Sequence, residues 1–161
     1  MPVIVKQELR WHEPVMDTGR FTIEYCIPPV DDYLRLREVS GLTPRDRASA
    51  EAGLPNSSAA VVVMEGEAIV GMGRVIGDGA LFFQVVDIAL EPRLHGQGIG
   101  KAIMAALMER LAQIVPGRAY VSLIADGEAH RLYAQYGFEE VGPASRGMAH
   151  WLEGAGGHSP S

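Results

Sequence analysis

The stretch Asp87-Ile88-Ala89-Leu90-Glu91-Pro92-Arg93-Leu94-His95-Gly96-Gln97-Gly98-Ile99-Gly100-Lys101 decides the fold. The apolar run that ends at Leu90 predicts a buried strand. The segment from Gly98 to Val115 predicts a helix with one apolar face, formed by Ile99, Ile103, Leu107, Leu111 and Ile114. Three glycines at alternate positions leave backbone N–H groups unobstructed beside the positive end of that helix. The pattern therefore predicts a diphosphate-binding turn.

The spacing of this turn excludes two common nucleotide-binding loops. A Walker A loop needs a glycine five residues before Gly100 and Ser or Thr after Lys101, but those positions hold His95 and Ala102. A Rossmann turn needs its third glycine where Lys101 stands, and it belongs in the first βα unit of the chain. The remaining alternative is a tight turn without a ligand, which would need one such glycine rather than three.

The rest of the chain predicts a mixed sheet of the α/β (α+β) class. Two helices, Val30 to Ser40 and Pro44 to Ala52 with Thr43 as N-cap, precede a hairpin of strands at Ala59 to Met64 and Ala68 to Val75. Ala80 to Leu90 is the predicted central strand. The later predicted elements are a strand at Arg118 to Ala125, a helix at Glu128 to Gln135, and two strands at Phe138 to Val141 and Met148 to Leu152. The order describes an antiparallel meander followed by a β-α-β-α-β unit.

Composition bounds the class of protein. The 161 residues suit one domain, which we expect to span residues 1–152, with a disordered tail over 153–161. The net charge of −6 argues against nucleic acid as a partner, and every apolar stretch is too short to cross a membrane. Cys26 is the only cysteine, and the residues before Arg20 lack the apolar core of a signal peptide. We expect a cytoplasmic protein without a metal.

Two motifs resemble those of the GNAT N-acetyltransferases. The turn is similar to their acetyl-CoA signature, which reads Gln or Arg, two residues, Gly, one residue, and Gly or Ala; His95 stands at the Gln/Arg position. The segment from Asp126 to Phe138 is similar to the Asn, Ala, Tyr and Gly-Phe element of the family, with Asp126 in place of Asn and Tyr133 at the tyrosine. The resemblance implies a GNAT-like fold in which the central strands splay apart.

The resemblance also implies a site for acetyl-CoA as co-substrate. Amides of the turn would cradle its pyrophosphate, and the central strand would hold its pantetheine arm. The implied CoA-binding residues are Ile88, Ala89, Leu90, His95, Gly96, Gln97, Gly98, Ile99, Gly100, Lys101, Asp126 and Tyr133.

We expect two catalytic residues. Tyr133 matches the family tyrosine that approaches the CoA sulfur, and it would act as general acid. Asp87 interrupts an apolar run and is the candidate general base. The structural alternatives are that Tyr133 packs in the core with its hydroxyl bonded to the backbone and that Asp87 forms an ion pair with Arg74. In a regular strand, Gln84 would face the side of the sheet opposite to Asp87.

The implied reaction is direct attack of an amine on the thioester of acetyl-CoA. We expect the acceptor to be the primary amine of a small molecule, bound by the first two helices and the final strands. The candidate acceptor residues are Tyr33, Arg37, Met72, Arg74, Met148 and His150, and either arginine would suit a substrate carboxylate. The alternatives are a CoA-binding sensor without turnover and an N-acetyltransferase of proteins or peptides. A homodimer is left open.

Overall fold

The computed structural model describes residues 14–155, with side chains from residue 17 onward. This part of the chain forms one six-stranded sheet whose strands lie side by side in chain order. The strands are β1 (Pro14–Asp17), β2 (Thr22–Tyr25), β3 (Ala59–Glu65), β4 (Ala68–Gly77), β5 (Phe82–Leu90) and β6 (Tyr120–Ser122). Neighbours are antiparallel except β5 and β6, which are parallel. The mixed sheet that the sequence predicts is confirmed.

Helices cover both faces of the sheet. They are α1 (Val30–Val39), α2 (Arg47–Gly53), α3 (Ile99–Ile114) and the short α4 (His130–Ala134). The predicted second helix begins later than expected because Asp46, not Thr43, is its N-cap: the Asp46 carboxylate accepts a hydrogen bond from the Ser49 amide at 2.8 Å.

The core has two parts, one on each face of the sheet. On one face α3 packs its apolar stripe against the strands, with Ile103 and Leu107 fully buried. On the other face α1 packs through Tyr33 and Leu36, and α2 through Ala50, against β4 and β5. The central strands are thus buried on both sides, which explains why their sequences read as continuous apolar runs.

Strands β5 and β6 separate soon after they meet. They pair only at Phe82 with Tyr120, Phe83 with Val121 and Gln84 with Ser122. Within the described part of the chain, no strand pairs with this edge of β5 from Val85 to Leu90. The splay that the resemblance implies is present, and it leaves a gap that runs toward the glycine turn.

Strand β5 carries a bulge where it passes β4. Met72 pairs with Ala89 and Arg74 with Val86, so Gly73 alone stands opposite Asp87 and Ile88. Asp87 takes the left-handed backbone conformation with φ 57°. A Cβ on Gly73 would lie 2.6 Å from Cγ2 of Ile103, so α3 rests directly on the backbone beside the bulge.

Because of the bulge, Gln84 and Asp87 do not face opposite sides of the sheet, as they would in a regular strand. Phe83 and Val85 pack on the α3 side, so alternation places Gln84 on the α1 side. A regular strand would return Asp87 to the α3 side, but the extra residue turns its carboxylate to the α1 side. Gln84 and Asp87 therefore share a face.

The prediction of two final strands, at Phe138 to Val141 and Met148 to Leu152, is wrong. Residues 138–152 contain no strand, so the unit predicted as β-α-β-α-β ends after α4. The side chains that would have driven strand formation are exposed, with Val141 at 46%, Met148 at 91% and Leu152 at 83% of full accessibility. The predicted strand at Arg118 to Ala125 shortens to β6, and the predicted helix at Glu128 to Gln135 divides into a 3-10 turn, Gly127–Ala129, and α4.

Of the predicted tail, residues 156–161 lie outside the described residues. Among the residues that are described, no helix has the length and apolar character needed to cross a membrane.

Candidate functional site

The glycine turn presents a row of free backbone donors. Gly96 and Gly98 have φ values of 80° and 78°, which other residues rarely adopt, and Gly98 is the N-cap of α3. The first intrahelical bond at this end runs from the Ala102 amide to the Gly98 carbonyl at 3.1 Å. Among the described residues, no acceptor is found for the successive amides from Gly96 to Lys101. Because the positive end of α3 lies behind them, these amides are suited to bind an anion.

Space adjoins this turn. A cavity of about 290 Å³ lies between the turn and the β1–β2 connection, and it is lined by Thr18, Arg20, Phe21, Ile23, Gln97, Gly98 and Ile99. At the same end of α3, the Tyr136 hydroxyl donates to the Lys101 carbonyl at 2.6 Å and ties the segment after α4 to α3. The start of α3 is therefore anchored while its amides stay open.

Tyr133 lies on α4, where its ring packs edge-on against Phe138 with 6.5 Å between the centroids. Its hydroxyl makes no hydrogen bond to any residue that the structure describes, so the backbone partner of the purely structural alternative is not seen. Burial, and second the negative charge of Asp126, raise the pKa of Tyr133. The phenol is thus protonated at neutral pH and able to donate.

Asp87 lies between two arginines on the α1 side of the sheet. Its Oδ1 accepts from Nη1 of Arg37 on α1, and its Oδ2 accepts from Nε of Arg74 on β4 at 2.8 Å. The side chains are nearly buried, with exposures of 5% for Asp87, 7% for Arg37 and 11% for Arg74. The predicted pair with Arg74 is present, and Arg37 makes it a three-residue cluster.

Neutral groups complete the cluster. Nε of Arg37 donates to the Thr43 carbonyl at 2.8 Å, and Nη1 of Arg74 donates to the Ser57 hydroxyl at 2.8 Å. The Tyr33 ring lies 5.6 Å from the Arg74 guanidinium. Burial, followed by the charge of Asp87, raises the pKa of Tyr33 against the opposing effect of the two arginines. Tyr33 is therefore neutral, and we refer to Tyr33, Arg37, Arg74 and Asp87 as the bulge cluster.

Several predicted site residues lie elsewhere. Met148 and His150 are exposed on the C-terminal segment, and Met72 is buried in the α1-side core rather than lining a polar site. The C-terminal segment reaches the chain before α2, where the Arg45 guanidinium lies 4.4 Å from the Trp151 ring. His95 is exposed beside the turn.

The two predicted catalytic residues approach the splayed strands from opposite faces. Tyr133 packs against the α3-side core, whereas Asp87 points to α1. Sequence reasoning placed Tyr33, Arg37 and Arg74 in one acceptor pocket and offered the pair of Asp87 with Arg74, but it missed the bond between Arg37 and Asp87. The available indication was Tyr33 and Arg37, which stand one helical turn apart and so share a face of α1.

Comparison with known proteins gives a consistent result. The family model for the acetyltransferase (GNAT) domain matches residues 40–151. The chain is 34% identical over 80 residues to GCN5-related N-acetyltransferase 2, chloroplastic, of Arabidopsis thaliana, covering 50% of this chain and 30% of that protein. It is 32% identical over 84 residues to histone acetyltransferase TAP1 of Glycine max, covering 52% and 36%. The chain thus spans about a third of the length of these curated relatives.

A solved structure is more similar over its whole length. It is a protein of unknown function from meticillin-resistant Staphylococcus aureus, described as a probable acetyltransferase, with 41% identity and a TM-score of 0.78. The alignment covers 82% of this chain and 99% of the other.

We predict that Asp87→Ala lowers the free energy of unfolding by about 3–5 kcal/mol, because it leaves two buried guanidinium groups without their carboxylate. The measurement is urea denaturation. The matched control is Glu65→Ala, which removes a carboxylate that also bridges two arginines, Arg20 and Arg93, but at the exposed surface, and should change stability little. Equal losses in the two variants would contradict the energetic role of the buried cluster.

Proposed function

The chain belongs to the GNAT family of acetyltransferases, and from this premise we propose that it transfers the acetyl group of acetyl-CoA to the primary amine of a small molecule. The observation that carries the proposal is the run of amides from Gly96 to Lys101 at the start of α3, which have no acceptor among the described residues. These amides fit a pyrophosphate, because they offer several N–H donors and the helix dipole without a competing side chain.

The open edge of β5 supports a place for the pantetheine arm. Ile88, Ala89 and Leu90 lead directly to the glycine turn, and β6 has already diverged from this edge. An arm that starts at the turn and follows this edge passes Leu90 and Ala89 and reaches the bulge at Asp87. We propose that the thioester lies there, between Tyr133 on one face and the bulge cluster on the other.

Tyr133 and Asp87 have different support as catalytic residues. The Tyr133 hydroxyl is protonated and has no protein acceptor among the described residues, so it can donate a proton to the departing CoA thiolate. Asp87 as general base stays a prediction. Both of its oxygens accept from arginines, so proton removal by Asp87 would compete with two ion pairs.

A small acceptor suits the bulge cluster. Its charged groups are nearly buried between α1 and the sheet, a position that admits a compact amine more readily than a polypeptide segment. Acetylation of a protein amine is the second candidate, since one relative is named a histone acetyltransferase.

The test of the proposed function is release of free CoA from acetyl-CoA, followed with a thiol reagent, over a panel of small amines and a lysine-rich peptide. We expect release that depends on a small amine and saturates with it. Release with the peptide alone would favour the second candidate. Tight acetyl-CoA binding without release by any acceptor would indicate the sensor alternative.

We predict that Gly98→Asp weakens acetyl-CoA binding by on the order of 100-fold, because a carboxylate within a few Å of the pyrophosphate costs about 3 kcal/mol at an effective dielectric constant of about 20. Calorimetric titration measures the effect. Gly98→Asn is the matched control: it has nearly the same shape and tolerates the left-handed φ, but it adds no charge. If both variants bind acetyl-CoA as tightly as the unchanged chain, the turn is not the pyrophosphate site.

For Tyr133→Phe, we predict a fall in kcat of about 100-fold with little change in acetyl-CoA affinity, because the variant removes only the proton donor. Steady-state kinetics and a binding titration provide the two values. Tyr120→Phe, at an exposed position of β6, controls for loss of a tyrosine hydroxyl. Unchanged turnover in Tyr133→Phe would exclude this residue as general acid.

A further inference from the structure

We propose that the acceptor amine carries an anionic group, a carboxylate or a phosphate, that binds Arg37 and Arg74 of the bulge cluster. The inference rests on the proposed function and names the substrate class of that same site. It follows from the charge balance, the free donors and the position of the cluster.

The bulge cluster holds one more positive charge than it can neutralise. Two guanidinium groups share the single carboxylate of Asp87, while the other partners, the Thr43 carbonyl and the Ser57 hydroxyl, are neutral. Tyr33 is also neutral because its pKa is raised. A nearly buried excess cation is unfavourable unless an anion approaches it. The cluster therefore favours a ligand with one negative charge at this point.

Both arginines keep a donor for such a ligand. Arg37 uses Nε and Nη1, and Arg74 uses Nε and Nη1, whereas neither Nη2 is bonded to a described residue. No buried polar side-chain atom in the described part of the chain lacks a hydrogen-bond partner. The two Nη2 atoms must therefore reach solvent. Guanidinium groups bind carboxylate and phosphate oxygens through paired N–H bonds, so these positions suit an oxyanion.

The cluster lies where the acceptor has to be. Asp87 is the first of the two bulged residues, and Ala89, two residues further along β5, packs in the same α1-side core as Tyr33. Asp87 also holds the two guanidinium groups in fixed positions, which lowers the entropic cost of binding an anion. An acceptor anchored here by its anionic group would present its amine toward the gap between β5 and β6.

The same charge disfavours a cationic acceptor. Amines reach an enzyme mainly as ammonium ions at neutral pH, and an acceptor with no anionic group would bring a second unbalanced positive charge to the cluster. A lysine-rich peptide and a simple alkylamine are therefore poor acceptors in this proposal. An amino acid or an aminoalkyl phosphate is a good one.

The experiment compares matched acceptors on the unchanged chain. Each pair shares its amine: an amino acid with its amide, and an aminoalkyl phosphate with the corresponding amino alcohol. We expect kcat/KM to be at least about tenfold higher for the anionic member of one pair, and the better pair distinguishes carboxylate from phosphate. Equal or higher kcat/KM for the neutral members would overturn the proposal while leaving the proposed function intact. Absence of turnover with every amine would instead overturn the proposed function.

A variant separates recognition from folding. Arg74→Met leaves Asp87 paired one-to-one with Arg37, and we expect the ratio of kcat/KM between anionic and neutral acceptors to fall about tenfold. Arg35→Met removes the same charge from half-buried ion pairs with Asp32 and Glu91, outside the bulge cluster, and should leave that ratio unchanged. If Arg74 had a purely structural role, Arg74→Met would lower kcat/KM for the anionic and the neutral acceptor equally and preserve their ratio. That result would also count against the proposal. If Arg74→Met does not fold, the matched acceptors still decide the question.

Discussion

The ion pairs of Asp87 with Arg37 and Arg74 hold the central strand at the one point where it departs from regular geometry. Asp87 is the only non-glycine residue with a left-handed backbone among those the structure describes. Such a conformation is unfavourable by itself and persists where the surroundings determine it. Here the surroundings are two charged bonds, one to α1 and one to β4, so the helix layer and the sheet are joined through the bulge.

The bulge has consequences along β5 in both directions. Before it, Phe83 and Val85 pack against α3, and β5 still pairs with β6. After it, Ile88 and Leu90 pack on the α3 side while Ala89 packs on the α1 side. The bulge therefore sets which side chains of β5 face each side of the sheet as the strand approaches the glycine turn, and the free edge of β5 is followed, after residues 91–95, by the free amides of the turn.

The proposed donor and acceptor sites rely on different chemistry. The proposed donor site consists of backbone amides and a helix dipole, so His95 at the Gln/Arg position leaves these donors in place. The proposed acceptor site consists of charged side chains whose positions depend on three separate elements, α1, β4 and β5. Backbone recognition suits a donor common to a family, whereas side-chain recognition suits a particular acceptor.

Local patterns predicted the elements that local physics controls. The structure begins α1 at Val30 and bounds α3 at Ile99 and Ile114, each within one residue of the predicted end, because apolar periodicity and terminal glycines are read over a few residues. The strands predicted after Tyr133 failed for the opposite reason. Their apolar residues are exposed in the structure. A short apolar run does not indicate whether a neighbouring strand exists to pair with it.

The sequence by itself determined the glycine turn and the helix that follows it, since these depend on residues within a short stretch of chain, and the resemblance of its two motifs to the GNAT family indicated acetyl-CoA as the donor. Only the tertiary structure decided what surrounds Asp87. Arg74 is 13 residues away and Arg37 is 50 residues away, on elements of different type. Their convergence requires the strand register, the bulge and the packing of α1 to be known together, because a single extra residue in β5 reverses the face on which a side chain lies.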